Sequence, residues 1–166
     1  MRRKYVDALN DSIREYREQL SRGRIQAAYR GIMSFMSGLC SYLAGRHSDY
    51  SATALYCGYM DMTYFAFTPR FLKEKKLKLA LVYLHEPGRF ELWLSGSNKK
   101  IQAEYIELLQ NSNLGEFKLS QPLPGVDSIL ELVLTEEPDF DHPEALRREI
   151  ESKLLECTSQ LRTLLT

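Results

Sequence analysis

The segment that most constrains the fold is "LKLALVYLHEPGRFELWLSG", residues 77–96. Two apolar runs flank the letters "EPGR", in which Pro87 fixes its own φ and Gly88 permits conformations that other residues avoid. This pattern is typical of a tight turn between two antiparallel strands. Alternation along the second strand divides its side chains between two faces, Phe90, Leu92 and Leu94 on one and Glu91, Trp93 and Ser95 on the other. The hairpin therefore predicts an antiparallel sheet with one apolar face.

The rest of the chain supplies two more strands and four helices. Apolar and aromatic runs at 54–69 and 128–137 predict strands, and "PRFLKEKK" after the first of them predicts a short helical turn. Apolar residues recur every three or four positions over 5–20, 25–43, 101–109 and 146–164, which predicts helices. The order α-α-β-β-β-α-β-α predicts an α+β fold, with a mainly antiparallel four-stranded sheet covered by helices. We expect one globular domain spanning residues 1–166, because no linker divides the chain.

Composition narrows the function classes and the compartment. The chain carries 22 basic and 22 acidic residues, and this neutral balance makes nucleic acid an unfavourable partner. Cys40, Cys57 and Cys157 are odd in number and widely spaced, so we interpret them as buried thiols in a reducing cytosol. The basic start, Met1 to Lys4, is not followed by an apolar signal core, and no run is long enough to span a membrane. The sequence predicts a cytoplasmic protein with no membrane partner.

The aromatic strand and the hairpin together suggest a binding site for a small organic ligand. Tyr59, Tyr64 and Trp93 offer apolar area with polar tips, and charged neighbours would fix a ligand's orientation. The candidate ligand-binding residues are Tyr59, Asp61, Tyr64, Arg89, Glu91 and Trp93. The competing interpretation is that these aromatic residues belong to the core, as aromatic residues on strands usually do.

A metal-dependent phosphoesterase or nuclease-like enzyme is the alternative function. Asp61 and Glu91 on separate strands would hold Mg²⁺ while a basic residue orients water. The candidates for this basic residue are Lys78, His85, Lys99 and Lys100. Restriction-type nucleases place a lysine two residues after the second acid, and here Trp93 occupies that position. The hypothesis also requires that the two carboxylates share one face of the sheet. No spacing of histidine or cysteine selects a catalytic residue, a metal site or a cofactor.

A resemblance covers residues 59–109, roughly a third of the chain. The runs "YMDMTYF", "FTP" and "RFELWLSGSN" resemble a family of small uncharacterised bacterial proteins classed as a domain of unknown function. The resemblance implies a bacterial source. It implies no activity and assigns no catalytic residue.

The apolar stripe at the C-terminus has near-heptad spacing. Leu146, Ile150, Leu154, Cys157, Leu161 and Leu164 recur at spacings of three and four residues. Such a stripe packs against the helix's own domain or against a second copy of the chain. From the residues alone we expect a small-molecule-binding or protein-interaction domain, with a homodimer through this helix as one form of interaction.

Overall fold

The structure, a computed structural model, describes residues 8–166. Tyr5 of the predicted first helix and the basic start from Met1 to Lys4 lie outside the described residues. Contacts within the chain group into two compact units, residues 1–34 and residues 35–166. The single-domain expectation stays a prediction.

The first unit contains α1 (Leu9–Ser21) and the beginning of α2 (Arg24–Arg46). α1 is amphipathic, as its periodicity predicted, but none of its residues is buried. Leu9, Ile13 and Tyr16 are 74%, 42% and 59% exposed. In this unit, therefore, the apolar stripe of α1 is not part of a core.

The second unit contains an antiparallel six-stranded sheet. Its strands are β1 (Tyr50–Ala52), β2 (Met62–Pro69), β3 (Leu77–Leu84), β4 (Arg89–Gly96), β5 (Lys118–Leu119) and β6 (Ser128–Thr135), in the order β1-β2-β3-β4-β6-β5. The second half of α2, α3 (Arg70–Glu74), α4 (Lys99–Leu109) and α5 (Pro143–Leu164) complete the unit. The α+β class, the antiparallel pairing and the β3–β4 hairpin, with Leu84 opposite Arg89, are confirmed.

The prediction of four strands was wrong, because the sheet has six. The additional strands, β1 and β5, have three and two residues and lie at the two edges. Strands this short show no alternation that a sequence can reveal, and their hydrogen bonds depend on partners distant in the chain. The strand predicted from residue 54 also begins late, because 53–61 is irregular apart from a bridge between Tyr56 and Tyr64.

One face of the sheet forms the core. Phe90, Leu92 and Leu94 are at most 1% exposed, as the alternation of β4 predicted. The ring of Phe35, in the second half of α2, lies 5.7 Å from that of Phe90, so this half of the helix covers the face. α5 joins the same layer, and its Leu154 is fully buried.

A buried carboxylate connects the two covering helices. Glu151 on α5 accepts hydrogen bonds from the Tyr42 hydroxyl at 2.7 Å and from Arg46 Nε at 2.9 Å, both on α2. His47 Nε2 lies 2.7 Å from the same carboxylate. Burial alone raises the pKa of Glu151, but the hydrogen bonds from Arg46, Tyr42 and His47 outweigh it and lower the pKa to about 2. The carboxylate is therefore ionised and paired at neutral pH.

Candidate ligand-binding cleft

The sheet face opposite the core forms the floor of a cleft of about 680 Å³. Registered pairs bring Tyr64 beside Val82, and Ala66 beside Ala80, which is itself beside Trp93. Ala66 and Ala80 are small, so the floor lies low between the rings of Tyr64 and Trp93. Two larger side chains on either side of small ones produce a concave surface.

The first wall of the cleft follows β1. The ring of Tyr56 lies 4.9 Å from that of Tyr64, and the two residues exchange backbone hydrogen bonds of 2.8 and 3.0 Å. Thr53 accepts a hydrogen bond from the Ala66 amide through its hydroxyl and donates its own amide to the Ala66 carbonyl. These bonds hold the irregular segment against the edge of the sheet as a fixed wall.

The second wall is the start of α4 together with the end of the long connection before β6. Asn98 caps α4 by accepting a hydrogen bond from the Ile101 amide at 2.9 Å. Gln102, which is 3% exposed, donates to the carbonyls of Val126 at 2.8 Å and Ser128 at 3.0 Å. Lys99 donates to the Val126 carbonyl and pairs with Asp127 at 3.0 Å. The helix thus holds the end of the 111–127 connection in place.

Gly96 allows α4 to approach the end of β4. A Cβ atom at this position would lie 2.8 Å from the Gln102 amide nitrogen and 3.1 Å from the Ile101 side chain. Both distances are shorter than ordinary contacts. The absence of a side chain at Gly96 therefore sets the position of the helix that forms the second wall.

Neighbours on its own strand orient the Trp93 ring. The indole Nε1 donates to Glu91 at 3.0 Å, and Arg89 Nε donates to the other carboxylate oxygen of Glu91 at 2.8 Å. Glu91 is 3% exposed, while Trp93 is half-buried. The hydrogen bond to Glu91 raises the pKa of Arg89, so this guanidinium stays charged. A satisfied carboxylate thus fixes the ring plane on the cleft floor before any ligand arrives.

Two opposite charges lie on either side of Trp93 in the cleft. Lys78, on β3, is exposed, and among residues 8–166 its ammonium has no hydrogen-bond or ion-pair partner. Glu131, on β6 directly opposite Trp93, accepts a 2.7 Å hydrogen bond from the Ser128 hydroxyl. Within the same described range its carboxylate has no cation within 4.0 Å. Both charges remain available to a ligand.

The structure separates the six residues predicted to bind a ligand. Tyr64 and Trp93 line the cleft, and Arg89 and Glu91 position Trp93 from the same strand face without lining it. Tyr59 is 89% exposed in the loop before β2, where its amide donates to Asp61 at 3.0 Å. Tyr59 and Asp61 therefore shape a turn beyond the cleft.

Asp61 and Glu91 have separate partners. The amides of Tyr59 and Met62 hydrogen-bond to the Asp61 carboxylate and lower its pKa, whereas Glu91 is engaged by Arg89 and Trp93. Asp61 lies in the turn before β2, not on a strand, whereas Glu91 lies on β4. β2 and β4 are on opposite sides of β3, a lateral separation of about 10 Å. In the part of the chain that the structure describes, no group of three or more His, Cys, Asp or Glu residues could hold a metal ion. No observation therefore favours the metal-dependent alternative.

The interpretation of the cysteines as buried thiols needs correction. Cys157 is buried, but Cys40 is half-buried and Cys57 is exposed. Cys57 lies in the irregular segment before β2, which the sequence pattern had assigned to a strand. Burial raises the pKa of Cys157 to about 11 and also raises that of Cys40, so both thiols are protonated at neutral pH.

The apolar stripe of α5 is used within one chain. Leu146, Ile150, Leu154 and Leu161 are at most 2% exposed, and Cys157 is 5% exposed. These five side chains already lie in the core, and Leu164, the last residue of the predicted stripe, is half-buried, so the stripe offers little separate surface to a second copy. Dimerisation through this helix remains a prediction that the spacing of the stripe no longer supports.

Sequence reasoning named Lys78 only as a basic partner for a metal site and did not place Glu131 in any site. The available signal was one polar residue inside each apolar strand, in "LKLAL" and "ILELV". Their common face emerges only from the register that pairs Trp93 with Ala80 on one side and Glu131 on the other.

Comparisons with known proteins agree with the resemblance seen in the sequence. The family described as Domain of unknown function (DUF7000) has a model that matches residues 9–165, far beyond the 59–109 of the original resemblance. No curated protein and no solved structure matches the chain. Over the described residues, no helix has the length and apolarity required to cross a membrane.

Proposed function

Since the chain belongs to the DUF7000 family, whose function is unknown, we propose from the geometry of the cleft that it binds a small organic molecule there. The observation that carries the proposal is a concavity of about 680 Å³ on the open face of the sheet. This volume lies in the range of ligand sites, which combine an apolar surface with a few polar groups. Tyr64 and Trp93 supply the apolar surface, and Lys78 and Glu131 supply polar groups.

The preorganisation of the floor supports binding over a purely structural role for Trp93. A ring held by a hydrogen bond from its indole to Glu91 does not need to be ordered by the ligand. Ordering a free side chain on binding costs about 0.5–1.5 kcal/mol, and a fixed ring avoids that cost. The half-buried indole lines the cleft with its polar atom already satisfied, so its aromatic ring is the part on which a flat ligand would stack.

The proposal includes a bacterial cytoplasm as the setting. The resemblance found in the sequence is to bacterial proteins. All three cysteines are free, and the exposed thiol of Cys57 would remain reduced in a cytosol. Ligands would accordingly be small molecules of that compartment.

The single tryptophan of the sequence gives a direct test. We would screen a metabolite library by following the one indole N–H resonance in ¹⁵N-labelled protein, together with the thermal midpoint. Ala80→Phe fills the floor beside Trp93 and should abolish the shifts that binders cause. Ala145→Phe, at an exposed position near the start of α5, is the matched control and should bind like the wild type.

Two results would overturn the proposal. One is a library in which no compound moves the Trp93 resonance. The other is undiminished binding to an Ala80→Phe variant whose circular dichroism shows it folded.

A further inference from the structure

The charges of the cleft are arranged asymmetrically around its floor. Four charged side chains line it, but Lys99 and Asp127 already pair with each other at 3.0 Å. Lys78 and Glu131 are left with opposite charges and, among the described residues, no ion-pair partner. With respect to residues 8–166, the cleft thus presents one cation and one carboxylate that lack an ion-pair partner.

The register of the sheet places these two groups on either side of Trp93. Lys78 pairs with Ser95, two residues after Trp93 on β4, and Glu131 pairs with Trp93 itself on the far side. Two strand spacings and two residue steps separate their Cα atoms by about 12 Å. Because the lysine side chain is long, the two charged ends can approach the opposite ends of one ring lying over the indole.

The surroundings of Glu131 orient its carboxylate but, among the described residues, give it no ion-pair partner. Lys118 on β5 is its cross-strand neighbour, but it is exposed, forms no ion pair with Glu131 and does not line the cleft. Ser128 donates one hydrogen bond to Glu131, while the Ser120 and Ser128 hydroxyls lie 2.7 Å apart. This hydroxyl network orients the carboxylate without neutralising it.

We propose that the cleft binds an aromatic zwitterion whose cationic nitrogen pairs with Glu131, whose ring stacks on Trp93, and whose carboxylate or phosphate pairs with Lys78. This inference rests on the proposed function and specifies the class of ligand. A molecule with either charge alone satisfies one of the two groups and leaves the other unpaired. A neutral ring of the same size satisfies neither.

Three probes of matched size separate the contributions. They are 4-(aminomethyl)benzoate, which carries both charges, 4-methylbenzoate, which carries the anion, and 4-methylbenzylamine, which carries the cation. Titrations would follow the Trp93 indole resonance of the full chain. We expect the zwitterion to bind about fivefold more tightly than either single-charge probe, as partly exposed ion pairs contribute modestly.

Charge-neutral variants show which residue pairs with each charged end of the zwitterion. In Lys78→Gln, the zwitterion should lose its advantage over 4-methylbenzylamine, because the anionic end no longer has a partner. In Glu131→Gln, which retains an acceptor for Ser128, the zwitterion should lose its advantage over 4-methylbenzoate. 4-(Aminomethyl)benzenephosphonate tested alongside establishes which anionic group Lys78 prefers.

Several outcomes overturn the inference and leave cleft binding intact. One is equal affinity for the three probes, and another is a zwitterion advantage that persists in both variants. A third is the absence of any Trp93 shift with the three probes when other library compounds do cause shifts. If no compound of any charge moves the resonance, the proposed function fails and this inference fails with it.

Discussion

At the scale of residues, Glu91 shows how a buried charge is kept in a sheet. With 3% exposure, its carboxylate has almost no water around it, yet Arg89 and Trp93 on the same strand face satisfy both of its oxygens. Positions i−2 and i+2 on a strand point in the same direction, so the alternation of β4 brings all three side chains together. The sequence predicted this shared face, but nothing in it indicated that Glu91 would be buried.

Removing the carboxylate should destabilise the protein and release the ring. We expect Glu91→Ala to lower the free energy of unfolding by about 2–3 kcal/mol, because it leaves the Trp93 N–H unsatisfied and leaves Arg89 with only the exposed Glu136 as an ion-pair partner. Glu91→Gln retains an acceptor and should cost less. Urea titrations followed by circular dichroism measure both, and equal costs for the two variants would contradict the assigned role.

Substitution of glycine by alanine should have opposite effects on stability at two positions. Gly38 lies inside α2 with nothing within 4 Å of an added Cβ, so Gly38→Ala should stabilise the protein by about 0.5–1 kcal/mol. Gly58 has a φ of +73°, and a Cβ there would lie 1.9 Å from the Met62 carbonyl oxygen. Gly58→Ala should therefore destabilise the protein, and thermal midpoints of the two variants give the comparison. A loss of stability in Gly38→Ala would contradict this prediction, because it would mean that the added methyl group meets a neighbour that the structure does not show.

At the scale of elements, α4 controls the long connection that precedes β6. Gln102 donates to two carbonyls, those of Val126 and Ser128, so one buried amide fixes the point where the connection rejoins the sheet. Residues 111–127 run from the end of α4 to the start of β6. In the structure the last of these residues form a wall of the cleft, and α4 holds them.

Loss of that amide should loosen the wall. We expect Gln102→Ala to cost about 1–2 kcal/mol and to speed hydrogen exchange at residues 121–128, because the two carbonyls lose a donor. Gln110→Ala, at the exposed end of α4, is the matched control and should leave exchange unchanged. Identical exchange in the two variants would mean that Lys99 alone holds the wall.

The elements differ in how far they could be predicted. β3 and β4 were predictable because their apolar runs, their alternation and the turn at Pro87 and Gly88 agree with one another. β1 and β5 were not, because strands of three and two residues form only through the partners that tertiary folding brings to them. For the same reason, the floor of the cleft could be predicted from the alternation of side chains along the strands. The walls could not, because they are formed by segments distant in the chain.

At the scale of the whole molecule, Glu151 links stability to pH. Its pKa is about 2 in the folded protein and about 4.3 in an unfolded chain, so the folded state binds fewer protons. A depressed carboxylate pKa contributes stability above the unfolded value and loses it as the pH falls through the folded value. The contribution is on the order of 3 kcal/mol and should disappear between about pH 5 and pH 2.

Glu151→Gln isolates this contribution. At neutral pH the variant should be less stable than the wild type, and the difference should narrow as the pH is lowered through that window. Denaturant titrations at a series of pH values measure it. A difference that stays constant with pH would mean that the Tyr42, Arg46 and His47 contacts act through packing rather than charge.

The two faces of β4, a strand of eight residues, have different structural roles. Even-numbered positions, such as Phe90 and Leu92, hold the core together, while Glu91 and Trp93 serve the cleft. A deletion of one residue within the strand would exchange the two sets at once, putting a charge in the core and an aliphatic side chain on the floor. We therefore expect a one-residue deletion within β4 to disrupt the protein more than the substitution of any single side chain in it.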